Sequence, residues 1–437
     1  MTTIFSGVPP IRFEGPDSDN PLAYRYYDAD RIVAGRPMKD HMRWAVCFWH
    51  SFCFTGMDPF GWATLPRPWM AGPVDLAAAT ERLDAAFDFF SRLGAPYFTF
   101  HDHDVAPHAM TLRELIDGMA RLEPLMAERM RKTGVGLLWG TANLTAHPRY
   151  AAGAATNPDP EVFACAAAQV HACLETTHRL GGENYVLWGG REGYDTLLNT
   201  DMRRELDQYG RFLAMIVEHK HRIGFKGAIL VEPKPHEPAK HMYDRDAATC
   251  AAFLRRYGLE GEVELNIEAN HATLAGNSFE HEVATAIAHG VFGSIDLNRG
   301  DPHNGWDTDQ FAMDVGELTL VWRRILKAGG LRTGGFNFDA KIRRQSVSVD
   351  DLFHGHIGSV DALARGLLAA ADLEADGKLD TFVSQRYAGW EGSEGKAILA
   401  GQVSLADVAK AALNRNIEPQ PVSGRQEFLE NYVSRFV

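Results

Sequence analysis

Short apolar runs rich in β-branched and aromatic residues alternate along the middle of this chain with longer stretches of helical period. The strand candidates are RWAVCFW from Arg43, PYFTFHD from Pro96, VGLLWGTAN from Val135, NYVLWGG from Asn184, GAILVEPK from Gly227, VELNIEANH from Val263, FGSIDLNRG from Phe292 and GGFNFDAK from Gly334. Helical signals separate them. Thr111 and Glu114 make a capping box that opens a helix running to about Lys132. Leu206, Tyr209, Leu213, Ile216 and Val217 recur at spacings of three and four and define one apolar face. Asn277 and Glu280 predict another cap, before EVATAIAHG, with Gly290 as the stop. Eight apolar strands, each followed by a helical segment, predict a (β/α)8 TIM barrel of α/β class. A doubly wound open sheet usually carries a Gly-rich fingerprint after an early strand, and GVGLLWG from Gly134 misses that spacing by one position.

Both ends depart from this rhythm. Residues 1–40 are polar and irregular, an N-terminal arm before a barrel over 41–370. From residue 371 to 437 short helical pieces are joined by Gly and Pro. Phe382, Trp390, Leu399, Phe428 and Phe436 are too sparse there for an independent core. This extended C-terminal helical arm must pack on the barrel or on a neighbouring subunit, and it reads as an oligomerisation arm.

Composition narrows the class. With 437 residues, 45% hydrophobic and 23% charged, the chain can bury a large core without a disulfide or metal staple. A net charge of −13 argues against a nucleic-acid partner held by phosphate contacts. Cys47, Cys53, Cys165, Cys173 and Cys250 are odd in number and lack CxxC spacing, as expected of buried thiols in a reducing compartment. The opening MTTIFSGVPPIRFEGPDSDN has Pro, Asp and Gly where a signal peptide would be apolar. No run approaches the roughly 20 apolar residues of a membrane helix. A soluble cytoplasmic protein with no membrane partner is the expectation.

Barrel enzymes place their chemistry at the C-terminal ends of the strands. The second run ends in His101, Asp102, His103 and Asp104, the fifth in Glu232 and Lys234, the sixth in Glu268 and His271. The seventh ends in Asp296 and leads into DLNRGDPHNGWDTDQF, which holds Asp307 and Asp309; the eighth ends in Asp339. Six carboxylates and a histidine on one rim cannot all stay ionised without added positive charge. A pair of divalent cations supplies it, and an oxygen-rich set with one imidazole and no thiolate suits Mg2+, Mn2+ or Co2+. Other readings of these stretches fail. Position six from Asp296 is Asp301 rather than the Gly of an EF-hand, and HEPAKH from His236 is one residue too long for a zinc-protease motif. The basic run RMRKTG from Arg129 complements a helix C-terminus. Asp102 has a structural role, and His103 has none that the chemistry requires. His219, His236, His241, His281 and His289 fall in helical or linker segments and are expected at the surface.

YVLWGGREGYDTLLNTD from Tyr185, VEPKP from Val231, NIEANHATLAGN from Asn266 and FHDHD from Phe100 together resemble the xylose isomerases, and the long N-terminal arm resembles their class II type. The likeness extends from about Trp44 to Asp339. It implies a first metal held by Glu232, Glu268, Asp296 and Asp339, and a second held by Glu268, His271, Asp307 and Asp309. It also implies that His101, oriented by Asp104, assists opening of the sugar ring and that Lys234 binds the C1 oxygen. Trp49 and Trp188 resemble the aromatic walls of such sites, and Phe60 a ring contributed by an adjoining subunit. The implied activity is interconversion of D-xylose and D-xylulose, with D-glucose and D-fructose as a side reaction, in a homotetramer that needs no nucleotide cofactor. An isomerase for another aldose is the nearest alternative. A metal-dependent barrel hydrolase or endonuclease would call for more imidazole ligands and a basic groove.

Overall fold

The computed structural model describes residues 4–70, 72 and 74–437. Its centre is a closed barrel of eight parallel strands. They are β1 (Trp44–Cys47), β2 (Tyr97–His101), β3 (Gly136–Thr141), β4 (Asn184–Trp188), β5 (Ala228–Glu232), β6 (Val263–Glu268), β7 (Phe292–Asp296) and β8 (Phe336–Phe338). Each falls within one of the eight predicted runs. β8 closes the ring, with Phe336 beside Trp44 and Phe338 beside Val46. Eight principal helices follow in turn: α1 (Leu76–Leu93), α2 (Leu112–Thr133), α3 (Pro160–Arg179), α4 (Met202–Ile223), α5 (Ala247–Arg256), α6 (Phe279–Ala288), α7 (Val315–Lys327) and α8 (Asp350–Asp376).

Alternation along the strands divides the buried residues in two. Ala45, Leu138, Trp139, Val186 and Leu230 pack together inside the barrel. Their neighbours, such as Trp44, Val46, Leu137 and Ile229, face outward into the layer shared with the helices. On α1, Phe87, Phe89 and Phe90 are fully buried in that layer; each is worth about 1.5–3 kcal/mol of transfer free energy. A TIM barrel built this way has a filled interior and leaves its strand ends free for chemistry.

The local signals at helix ends hold with one exception. Thr111 and Glu114 form the reciprocal capping box of α2, and Gly134, at φ 76°, ends it. On α4 the buried side chains include Tyr209, Leu213, Ile216 and Val217. The predicted cap of α6 is corrected by one residue. Ser278 accepts from the His281 backbone N–H, while Asn277 donates to Glu282 and Glu280 pairs with Arg324. A serine hydroxyl reaches the third backbone N–H from the capping position, and here it takes that place.

The N-terminal segment is less detached than its polarity suggests. Phe5, Val8, Ile11, Tyr24 and Tyr27 are buried in the outer layer, and the Tyr24 hydroxyl donates to Leu93 O at 2.8 Å. Asp361 on α8 accepts from the backbone N–H groups of Arg25, Tyr26 and Tyr27. At the other end, α8 runs through residue 371 to its left-handed stop at Gly377. Four short helices follow, Lys378–Tyr387, Ser393–Leu399, Leu405–Arg415 and Gln426–Val433, and Tyr432 is buried among them. All five thiols are free; Cys47, Cys173 and Cys250 are buried, whereas Cys53 and Cys165 are half-buried rather than buried as expected. No helix among the described residues is long and apolar enough to cross a membrane.

Candidate active site

The carboxylates gather where the barrel topology sends them, at the strand ends. Glu232 ends β5, Glu268 ends β6 and Asp296 ends β7, with Asp339 immediately after β8. These four each offer an oxygen within 4.8 Å of the others, and all four are buried. Glu268 joins Asp307 and Asp309 in a second group of the same dimensions, and Glu232 and Glu268 join His271 in a third. His271 stands on the short helix that continues β6; its Nε2 lies 3.1 Å from Glu268 Oε2 and 3.2 Å from Asp307 Oδ2. Its Nδ1 is 2.9 Å from Pro233 O. That carbonyl accepts a hydrogen bond from Nδ1–H, which leaves the Nε2 lone pair for a cation.

Such a cluster is electrostatically incomplete by itself. Burial, then the charges of Asp307, Asp339 and Glu232, push Glu268 far above the ordinary carboxylate range. Asp296 is raised likewise by burial and by Glu232 and Asp339, and its buried Oδ2 has no hydrogen-bond partner among the described residues. Polar neighbours satisfy only part of the set. Asn298 Nδ2 donates to Glu268 Oε1 at 2.7 Å and Asp309 Oδ1 at 3.2 Å, and Asn337 Nδ2 donates to Asp296 Oδ1 at 2.9 Å. An orphaned carboxylate oxygen and several mutually repelling acids fit divalent cations, and oxygen donors with one imidazole fit Mg2+, Mn2+ or Co2+.

Cationic side chains surround the cluster. Lys234 Nζ lies 2.6 Å from Asp307 Oδ2 and 5.2 Å from the centroid of the Trp188 ring. Burial opposes its charge, but Asp307 and Glu268 hold its pKa well above the usual lysine value. Lys341 Nζ pairs with Asp309 Oδ2 at 2.7 Å. His50 Nε2 lies 3.0 Å from Asp339 Oδ1 and 3.1 Å from Asp309 Oδ2; burial disfavours its charge, yet the two carboxylates raise its pKa to about 9. The sequence reading missed His50, Lys341, Asn298 and Asn337.

Across the cavity, His101 Nδ1 is 2.9 Å from Asp104 Oδ2. Asp104 is half-buried, and although burial opposes its charge, its bonds to His101 and His103 depress its pKa below the carboxylate range. The aspartate fixes the Nδ1 proton, and Nε2 has no hydrogen-bond partner among the described residues, the arrangement of an oriented general base. Asp102 has the structural role expected of it, accepting from the His103 and Asn143 backbones and from Gln169 Nε2. His103 is exposed on a helical turn, 3.7 Å from Asp104.

The cavity itself has a volume of about 300 Å³, at the small end of ligand sites, and is lined by Trp49, Trp139, Trp188, His101, Lys234 and all the cluster's carboxylates but Asp296. A π-helical turn, Trp49–Cys53, follows β1 and lets Trp49 and His50 both reach Asp339. Trp49 Nε1 donates to Asp339 Oδ1 at 2.9 Å, and its ring lies 4.2 Å from that of His101. Of the predicted site residues, Asp296 lies buried within the carboxylate cluster rather than on the cavity wall, and Phe60 alone reaches neither; it is 84% exposed and its ring lies 6.4 Å from Trp306.

Known proteins share this chain's sequence along its length. The xylose isomerase of Solibacter usitatus is 60% identical over 433 residues, covering 99% of each chain. Those of Burkholderia cenocepacia strain J2315 and Pseudomonas savastanoi pv. phaseolicola are 58% and 56% identical, over 99% of this chain and 98% and 99% of theirs. A family model described as the XylA2 C-terminal domain matches residues 383–437. Among solved structures, D-psicose 3-epimerase aligns with a TM-score of 0.50 at 13% identity, over 75% of this chain and 99% of its own. A protein from Rhodospirillum rubrum aligns at 0.51 and 15%, over 74% and 98%. At such identities these two speak for the barrel fold alone. The full-length matches speak for more: the chain belongs to the xylose isomerase family.

Proposed function

We propose that this enzyme interconverts D-xylose and D-xylulose, with D-glucose and D-fructose as a slower pair, using two divalent cations. The observation that carries this reading is the His101–Asp104 pair facing the six-carboxylate cluster across one small aromatic-walled cavity. Glu232, Glu268, Asp296 and Asp339 would hold one cation, and Glu268, His271, Asp307 and Asp309 the other. Bound there, Mg2+, Mn2+ or Co2+ would polarise the sugar oxygens at C1 and C2 for a 1,2-hydride shift.

The chain's own groups supply the remaining steps. His101 Nε2, fixed in tautomer by Asp104, takes the anomeric hydroxyl proton and returns a proton to the ring oxygen, opening the sugar. Lys234 is charged and places an ammonium donor beside the oxygen on which negative charge develops. Trp49, Trp139 and Trp188 exclude water, so hydrogen leaving C2 is not exchanged with solvent. Phe60 would complete the wall from an adjoining subunit, in a cytoplasmic homotetramer assembled through the arm over 371–437. Net charge and the single ligating imidazole give no support to a nuclease reading.

The test is ketose formation from D-xylose by protein stripped with a chelator and resupplied with Mg2+, Mn2+ or Co2+. Activity that vanishes and returns with metal is expected. A folded, metal-loaded protein inactive on D-xylose but active on another aldose would overturn the substrate assignment.

A further inference from the structure

A second set of metal-binding side chains lies on the outside of the barrel, between α3 and α4. His171 and Glu175 are one helical turn apart on α3, which makes their side chains neighbours, and His219 faces them from α4. The three offer ligating atoms that all lie within 4.8 Å of one another. Glu175 Oε1 is 3.4 Å from His171 Nε2 and 3.5 Å from His219 Nε2, and the imidazole centroids are 4.3 Å apart.

His219 departs from its expected surface position. Its side chain is 13% exposed, and its Nε2 is buried with no hydrogen-bond partner among the described residues. An imidazole nitrogen withdrawn from water without a partner is costly and calls for an explanation. The carboxylate beside it is oriented from behind: Arg179 donates to Glu175 Oε2 at 3.3 Å and is itself held by both oxygens of Glu123 at 2.8 Å. Oε1 is thereby turned to the two imidazoles.

The two carboxylate–imidazole spacings are those of a coordination edge. Zinc bonds of about 2.0–2.2 Å to nitrogen and oxygen, arranged tetrahedrally, separate neighbouring ligand atoms by about 3.4 Å. Octahedral Mg2+ at about 2.0–2.1 Å would separate them by about 2.9 Å. Two imidazoles with one carboxylate also select for transition metals over Mg2+. A surface cavity of about 360 Å³, lined by His171, His219, Phe212, Met215 and Arg222 among others, gives access.

We propose that His171, Glu175 and His219 bind one tetrahedral divalent transition-metal ion, Zn2+ by its donor set, clipping α3 to α4 independently of the carboxylate cluster at the barrel mouth. The fourth position is left to water. Metal occupancy of this protein then has two selectivities, with oxygen-rich sites inside the barrel and a nitrogen-rich one outside.

The experiment is calorimetric titration of Zn2+ into full-length protein kept in saturating Mg2+, for the wild type, His171→Ala and Glu175→Gln. His171 is 55% exposed, so its replacement leaves packing intact. The wild type should bind one more equivalent of Zn2+ per chain than His171→Ala. Each variant should weaken that equivalent by more than the roughly 10–100-fold that loss of an outer-shell partner costs. With Co2+ as a second probe, the difference spectrum of wild type minus His171→Ala should show the intense visible bands of tetrahedral coordination. Equal Zn2+ stoichiometry and affinity in all three proteins, or a featureless Co2+ difference spectrum, would overturn the proposal.

Discussion

Glu268 lies in all three ligand groups at the barrel mouth, and burial and its neighbours strongly disfavour its charged form. Replacing it by Gln removes a charge both cations would share, so Glu268→Gln should lower occupancy at both sites and cut turnover by more than about 100-fold. Metal analysis of the dialysed variant checks the first half, and full occupancy would refute the bridging role. His101→Asn separates a different function. Turnover on cyclic xylose should fall by about 10²–10⁴-fold, the range for a positioned acid–base group, while metal content stays unchanged. Loss on the open-chain aldehyde should be much smaller; equal loss on both forms would sink the ring-opening role. At this scale the anionic half of the site was legible, because Glu232, Glu268, Asp296 and Asp339 end apolar runs. Of its counter-charges only Lys234 was. His50 and Lys341 sit one and two residues beyond Trp49 and Asp339, yet a lone His or Lys is unremarkable until closure of the barrel brings it to a carboxylate.

Elements were easier to read than their ends. All eight strands could be placed because burial on both faces makes them continuous apolar runs, and their order follows from right-handed β–α connections. Hydrophobic period does not distinguish Ser278 from Asn277 as a cap, nor does it foresee the π-helical turn after β1, since both depend on backbone angles. The long helix α8 carries a consequence invisible to pattern. His356 is fully buried on it, with Nδ1 2.8 Å from Leu352 O, Nε2 unpartnered among the described residues, and rings of Phe89, Phe311 and Phe338 around it. Burial lowers its pKa from 6.5 to about 4. The unfolded chain therefore binds the proton first. The stability linked to this group is complete above about pH 6.5 and is lost as pH falls to 4, a total of about 3 kcal/mol. Urea midpoints measured at fixed protein concentration should fall over this window in the wild type and fall less in His356→Leu. Parallel slopes would show that the imidazole is not the linked group.

The whole molecule presents apolar surface that its own chain does not cover. Leu399, Leu405, Leu413, Ile417, Val422 and Phe428 are exposed along the C-terminal arm, and so are Phe60 and Trp62 beyond β1. These side chains are what the proposed association through the arm would cover. Leu405 and Leu413 lie eight residues apart on one helix and so share a face. Leu405→Asp with Leu413→Asp should reduce the sedimenting mass towards that of the 48.4 kDa chain without loss of helical content. The same assembly would decide where Phe60 acts. Within its own subunit it does not line the cavity; contributed to a neighbour, it would complete that neighbour's aromatic wall. Two variants, each impaired in a different way, distinguish the cases. Phe60→Ala keeps its metal cluster but has no ring to give, whereas Glu268→Gln keeps the ring but not the shared ligand. If Phe60 works in trans, co-refolding equal amounts of the two should restore activity at about a quarter of all sites, the share in random pairs that hold both an intact cluster and a neighbour's Phe60. If the mixture gives no more than the sum of its parents, Phe60 serves no neighbouring site, and the exposed loop around it is surface alone.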